Sequence, residues 1–202
     1  MRTSLVAVAV LFLTLPVLGQ DGGVTAGGWQ ARLDGARGDV NDLSFRTMGP
    51  GLHVTTGPAA IFWNPGNTGS GTYTVSATFT QTTASSHLNS FGLFFGGRDL
   101  DADGQRYTYD LIREDGQFLI KKRMGANTEN LTSGWAAHSA VNALDGRMTN
   151  SISVEVGASN VRFLSNGTEV ASLPKAGLDV DGVAGVRFSH QLDVHIADFM
   201  VG

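Results

Sequence analysis

The stretch YTYDLIREDGQFLIKKR, residues 107–123, decides the fold. It alternates with period two on both sides of Asp115-Gly116, a dipeptide favoured in two-residue hairpin turns because both central positions need positive φ. A two-residue turn there sets Glu114 opposite Gln117, Arg113 opposite Phe118 and Leu111 opposite Ile120. It sets Asp110 opposite Lys121, Tyr109 opposite Lys122 and Thr108 opposite Arg123. One face then carries Tyr107, Tyr109, Leu111, Phe118 and Ile120. The other carries Thr108, Asp110, Glu114, Gln117, Lys121 and Arg123. A slip of one residue exchanges these faces, so the assignment rests on the turn.

Working outward, the same period recurs. Thr72 to Gln81 reads TYTVSATFTQ, with Tyr73, Val75, Ala77 and Phe79 on one face and Thr and Ser on the other, a half-buried strand. Asn166-Gly167 joins VRFLS to TEVASL as a second hairpin and places Phe163 opposite Val170. Shorter strands fit 43–48, 51–56, 151–156, 183–189 and 192–201. Ile61, Phe62 and Trp63 form an apolar run that the turn-rich NPGNTGSG at 64–71 is expected to stop. Residues 135–149 have room for one helical turn. About eleven or twelve strands with turn signals every ~8–12 residues are expected of a sandwich or barrel. Mixed loop lengths and a long first third favour an all-β, two-sheet antiparallel jelly-roll sandwich over an up-and-down barrel.

Composition agrees. Gly makes up 27 of 202 residues, Cys none, and charged residues 16%. That excludes a disulfide-stapled miniprotein and a highly charged disordered chain. The net charge is −4, and no basic run marks a phosphate-backbone footprint, so nucleic acid is not an expected partner. Residues 1–19 read as a signal peptide: Arg2, an apolar run from Leu5 to Leu18, and a small residue at Gly19. The run is too short to span a bilayer with margin, and no later segment approaches the ~20 apolar residues required. The expected product is an exported, non-spanning single domain over 20–202, in the periplasm, at the cell surface or outside the cell. Asn130 and Asn166 each open an N-x-T sequon, the latter inside a tight turn.

GPAAIFWNP (57–65), FGLFFGGRDL (91–100), the 107–123 hairpin and VAGVRFSHQLDVHIADFMV (183–201) together resemble secreted bacterial domains of the concanavalin A-like lectin/glucanase superfamily. The resemblance implies two antiparallel sheets, one concave, with sugars bound on the concave face or its rim. It does not extend to the paired carboxylates of the glucanase branch, E-x-D-x-x-E or E-x-x-x-E on one strand. Glu occurs only at 114, 129, 155 and 169, and none pairs in that pattern.

Three groups of residues are candidates for chemistry. In DLDADG (99–104), Asp99, Asp101 and Asp103 precede Gly104, with Asp110 at the twelfth position, as in a calcium loop. Against that, the last ligand is Asp rather than Glu, and the flanks are strands. The polar hairpin face offers Asp110, Lys121 and Arg123 for directional hydrogen bonds to hydroxyls. Its plainer role is a cross-strand ion pair on a solvated sheet. Trp63 and Trp135 stand at strand ends, where an indole stacks on a sugar ring, and His138 lies beside Trp135. G-x-S-x-G, a Cys nucleophile and zinc-type His spacing are all absent from the sequence. The expectation is a noncatalytic glycan-recognition module without an obligatory cofactor. The alternatives are a glycan hydrolase of the same fold and a partner-binding domain of the cell envelope.

Overall fold

A computed structural model describes residues 22–202, so the leader expected over 1–19 lies outside the described residues. The chain forms β1 (Gly23–Val24), β2 (Gln30–Leu33), β3 (Leu43–Met48), β4 (Gly51–Thr56), β5 (Ala60–Gly69), β6 (Tyr73–Gln81), β7 (Ser90–Arg98) and β8 (Arg106–Arg113). It continues through β9 (Gln117–Met124), β10 (Asn127–Asn130), β11 (Ala136–Ala137), β12 (Met148–Val156), β13 (Asn160–Ser165), β14 (Thr168–Pro174), β15 (Gly182–Phe188) and β16 (Leu192–Val201). A 3-10 turn at Val40–Asp42 is the one helical element among the described residues; 135–149 holds β11 and turns instead.

The strands build two sheets. The first has the order β1-β3-β4-β16-β6-β12-β13-β14. The second runs β10-β9-β8-β7-β15-β5-β2, with β11 added to β9. Among the described residues only β1 and β3 pair parallel. Chain-distant strands lie side by side in both sheets (β16 between β4 and β6, β15 between β7 and β5), which makes this a jelly-roll sandwich.

Period-two patterning explains the layers. In β6, Tyr73, Val75, Ala77 and Phe79 point inward, and the Thr and Ser between them point out. Their hydroxyls meet those of β12, Thr78 with Ser151 and Thr80 with Thr149, both at 3.0 Å. The core joins Phe45, Phe79, Val154, Phe163 and Val194 of the first sheet to Phe62, Phe91, Phe95, Phe118 and Phe188 of the second. Phe45 stacks on Phe62 at 4.5 Å between centroids, and Phe79 meets Phe91 at 5.4 Å. Each fully buried side chain of this kind contributes ~1.5–3 kcal/mol, so a core of this size holds without disulfides.

The decisive hairpin departs from the sequence expectation by one residue. Arg113 pairs with Gln117, Leu111 with Leu119, Asp110 with Ile120, Tyr109 with Lys121 and Tyr107 with Arg123. The loop is therefore Glu114-Asp115-Gly116. Gly116 alone has positive φ (+77°), and its N–H donates to the Arg113 carbonyl at 3.0 Å. This is a turn with a glycine bulge rather than a two-residue primed turn. Side chains enforce the choice. Glu114 is pulled out of the ladder, accepting from Gln81 Nε2 at 2.7 Å, Ser85 N–H at 3.0 Å and Ser85 Oγ at 2.5 Å. Asp115 folds back to accept from Arg113 Nε at 2.9 Å and Nη2 at 2.6 Å.

The other hairpin behaves as expected at its turn. Asn166 (φ 51°) and Gly167 (φ 77°) are both left-handed, and Ser165 pairs with Thr168. A bulge at Phe163/Leu164 then sets Phe163 opposite Ala171, not Val170. The Asn166 amide donates to Ala140 O and Asn150 Oδ1, both at 2.7 Å, so this sequon is occupied by internal bonds. NPGNTGSG also differs from expectation. β5 continues to Gly69, with 64–67 bulging between the Trp63–Gly185 and Thr68–Val183 pairs.

Candidate functional site on the concave sheet

The face of the second sheet turned away from the core is concave. Arg123 lies on β9 and Asp34 directly follows β2. Five inter-strand steps separate these strands, about 24 Å on a flat sheet. Yet Arg123 Nη2 donates to the Asp34 carbonyl at 3.4 Å. An arginine spans only a fraction of that width, so the sheet curls until its two sides approach across a trough. Arg32 on β2 and Asp103 in the β7–β8 loop make a second bridge at 3.0 Å.

The register determines what fills the trough. Ile61, Trp63, Phe94, Leu100, Tyr107, Tyr109 and Leu111 form a second apolar cluster there. Arg187 of β15 is set among them, its guanidinium 4.9 Å from the Tyr109 ring centroid and paired with the Asp34 carboxylate. Asp34 also faces Arg123 Nη1 at 3.9 Å. Burial pushes the Tyr107 phenol up to about 12, and raises Tyr109 as well, so both remain hydroxyls at neutral pH. Lys121 is pushed down, chiefly by burial and then by the charges of Arg187 and Arg123.

The centre of the trough is thus occupied by the protein's own side chains. Open space lies at the β5 end. A depression of about 290 Å³ is lined by Gln30, Trp63, Pro65, Arg98, Asp99 and Asp101, among others. Trp63 is 4% exposed, so little of its indole reaches that space, and the open stacking face expected at this strand end is not available. Larger depressions of about 410, 380 and 450 Å³ open outside the trough. The 380 Å³ one holds Trp29, whose indole is already packed between Phe45 and Phe199.

The sequence candidates are redistributed by the one-residue register change. Lys121 and Arg123 do lie together, in the trough. Asp110 does not join them. Its side chain points into the sandwich, 1% exposed, beside Leu93 and Ile120, and neither carboxylate oxygen has a partner. Desolvation alone pushes it up to about 7. The calcium set is therefore split. Asp110 is inside the core, Asp103 pairs with Arg32, and Asp99 and Asp101 border the depression. Among the described residues no three acidic or histidine side chains gather as a metal-ion site. Trp135 stacks under Arg113, 4.5 Å from the guanidinium carbon. His138 is at the hairpin end, accepting from Ala140 N–H at 3.1 Å and edge-on to Phe118.

Sequence reasoning missed Asp34, Arg187 and Gln30. Arg187 carried a signal: it is a lone charge between Val186 and Phe188 in a strand otherwise apolar on both faces. Asp34 opens the Gly-rich DGARGD segment and reaches its partners only across the curled sheet.

With the fold and trough described, the class is plain: the chain has the concanavalin A-like jelly-roll fold of lectins and glucanases. A carbohydrate-binding module, CBM66 from Bacillus subtilis, superposes with a TM-score of 0.65 at 9% identity, covering 89% of this chain and 98% of that one. A protein of unknown function with a galectin-like fold, also from Bacillus subtilis, gives 0.57 at 14% identity, covering 86% and 88%. A beta-1,3-glucanase from Mycobacterium marinum gives 0.55 at 12% identity, covering 91% and 95%. No protein-family model matches the chain, and no curated protein does. At these identities the likeness concerns fold.

Proposed function

We propose that this protein is a glycan-binding module that acts outside the cytoplasm and holds a sugar residue in the depression beside Trp63. The observation that carries the reading is the lining of that depression. An amide (Gln30), a guanidinium (Arg98) and two exposed carboxylates (Asp99, Asp101) line a space of about 290 Å³ together with the largely buried Trp63. Vicinal hydroxyls are bound in this way, by planar donors and acceptors over an apolar wall. A structural neighbour that is a carbohydrate-binding module supports the same reading.

A hydrolase is the second reading, favoured by one observation: Asp99 and Asp101 border the same depression. A glycosidase requires two carboxyl groups ~5–9.5 Å apart, flanking the scissile bond. One experiment separates the readings. The mature chain is screened on a glycan array, with reducing-sugar release measured in parallel. Binding without release, lost in Trp63→Ala and in Asp99→Ala/Asp101→Ala, supports the module. Release abolished by Asp99→Asn or Asp101→Asn supports the hydrolase. Silence in both assays overturns both. Secretion of a product beginning at Gln20 tests the location.

A further inference from the structure

Beyond the Trp63 depression, the trough contains a charge imbalance. Lys121, Arg123 and Arg187 surround a single carboxylate, Asp34. Lys121 forms no ion pair among the described residues. Arg123 Nε, Arg187 Nε and the Tyr107 hydroxyl are buried without a hydrogen-bond partner. This concentration of cationic donors occurs in a chain whose net charge is −4. It lies on the same curled face as the depression. The register runs Lys121–Tyr109–Phe94–Gly185–Trp63–Gln30 across the sheet, so one cross-strand row links the two places.

We infer that the Lys121–Arg123–Arg187 cluster is a carboxylate subsite, and that the glycan held beside Trp63 is an acidic polysaccharide bearing uronate groups. Asp34 is its internal occupant. Its carboxylate already pairs with Arg187, at the mouth of the exposed 35–39 segment. A planar carboxylate matches the paired N–H donors of a guanidinium, and an incoming uronate would share or take over the contacts Asp34 now makes. Three cations to one anion leave two positive charges for it. The half-buried Lys121 is the group a ligand meets first. The inference rests on the glycan-binding reading and adds the class of glycan.

The test is affinity electrophoresis and calorimetry of the mature protein with polygalacturonate, dextran sulfate and a neutral β-glucan. Variants Lys121→Ala and Asp34→Asn are compared, each with its melting temperature. The expected result is preference for polygalacturonate, weakened about tenfold or more in Lys121→Ala. Asp34→Asn removes the competing internal carboxylate, so it should bind polygalacturonate several-fold more tightly even if it melts lower. That sign is opposite to what a merely structural ion pair gives. Binding of the neutral glucan alone, lost in Trp63→Ala, overturns the inference and leaves the glycan-binding reading standing. Tighter binding of dextran sulfate than of polygalacturonate overturns the carboxylate assignment. Polygalacturonate binding unchanged in both variants overturns the subsite. No binding to any of the three overturns the inference and the underlying reading together.

Discussion

Arg123 and Asp34 touch across the concave sheet, guanidinium to main-chain carbonyl at 3.4 Å, although five strand steps lie between them. Arg187 fixes the same aspartate from the middle of the sheet through its carboxylate. The three residues pin the edge strand β2 over the trough. Breaking a fully buried pair leaves an uncompensated charge, which costs ~3–5 kcal/mol. This pair is part-buried and Asp34 keeps Arg123 nearby, so Arg187→Ala is expected to destabilise by less than that in chemical denaturation. Arg187→Met, which refills the space among the tyrosines without a charge, should cost clearly less relative to an Asp34→Asn background. Equal losses in both backgrounds would show that the pair is not coupled.

Asp110 sets a pH dependence with a definite sign. Its carboxyl is raised from 3.8 to about 7 by burial. Below pH ~4 it is neutral folded and unfolded, so it carries no penalty. Between ~4 and ~7 the unfolded chain ionises while the folded chain keeps the proton, and stability falls as pH rises. The full loss is on the order of 4 kcal/mol. Asp110→Asn should flatten this part of the stability–pH curve. Identical slopes for the two proteins from pH 4 to 7 would refute the assignment.

Glu114 is a buried carboxylate of another kind, with one oxygen, Oε1, accepting three hydrogen bonds. It accepts from Gln81 and twice from Ser85. Glu114→Ala removes the acceptor of those donors; Gln81 Nε2 keeps Thr83 O at 2.8 Å, so the loss is ~1–3 kcal/mol in all. A loss of unfolding free energy of about that size is expected in chemical denaturation, seen as a lower midpoint. The β8–β9 loop should also loosen, read as faster amide exchange at Gly116.

Two glycines share a backbone angle and differ in surroundings. Gly116 and Gly167 both have φ +77°, but an added Cβ at 116 meets Val141 O at 3.2 Å, whereas at 167 it meets nothing. Both alanine variants incur the ~1–2 kcal/mol of the left-handed conformation. Gly116→Ala should lose measurably more, and a larger loss at Gly167 would contradict the turn geometry.

The fold was legible because it is written in a local signal. Residues 72–81 and 151–156 alternate so regularly that inward and outward faces follow directly. The candidate site was only partly legible, and the reason is a single residue of register. Asp-Gly usually closes a two-residue hairpin, and here Glu114 bonds to Gln81 and Ser85, strand-distant residues that a local rule does not see. That shift moves Asp110 into the core and sets Lys121 and Arg123 beside Tyr109 and Tyr107. The pairing of Asp34 with Arg187 was not legible for a related reason, although Arg187 alone stands out as the one charge in its strand. Their meeting depends on sheet curl, which no short stretch of sequence encodes. Trp63, singled out for stacking on a sugar, and Asp99 and Asp101, singled out for calcium, converge on one depression.

Asp34 and Arg187 are 153 residues apart in the chain and meet only when the second sheet is complete. A ligand seated in the trough would touch groups contributed by β2, β5, β9 and β15, and no fragment lacking one end of the chain would present them all. Binding there is linked to the global folding equilibrium rather than to local order. A saturating ligand at a hundred times its Kd would add about 2.7 kcal/mol to the stability of the entire domain. Occupancy would then double as a register of chain integrity. Proteolytic nicking that frees β2 would release the ligand, and a loaded module would resist nicking while an empty one would not.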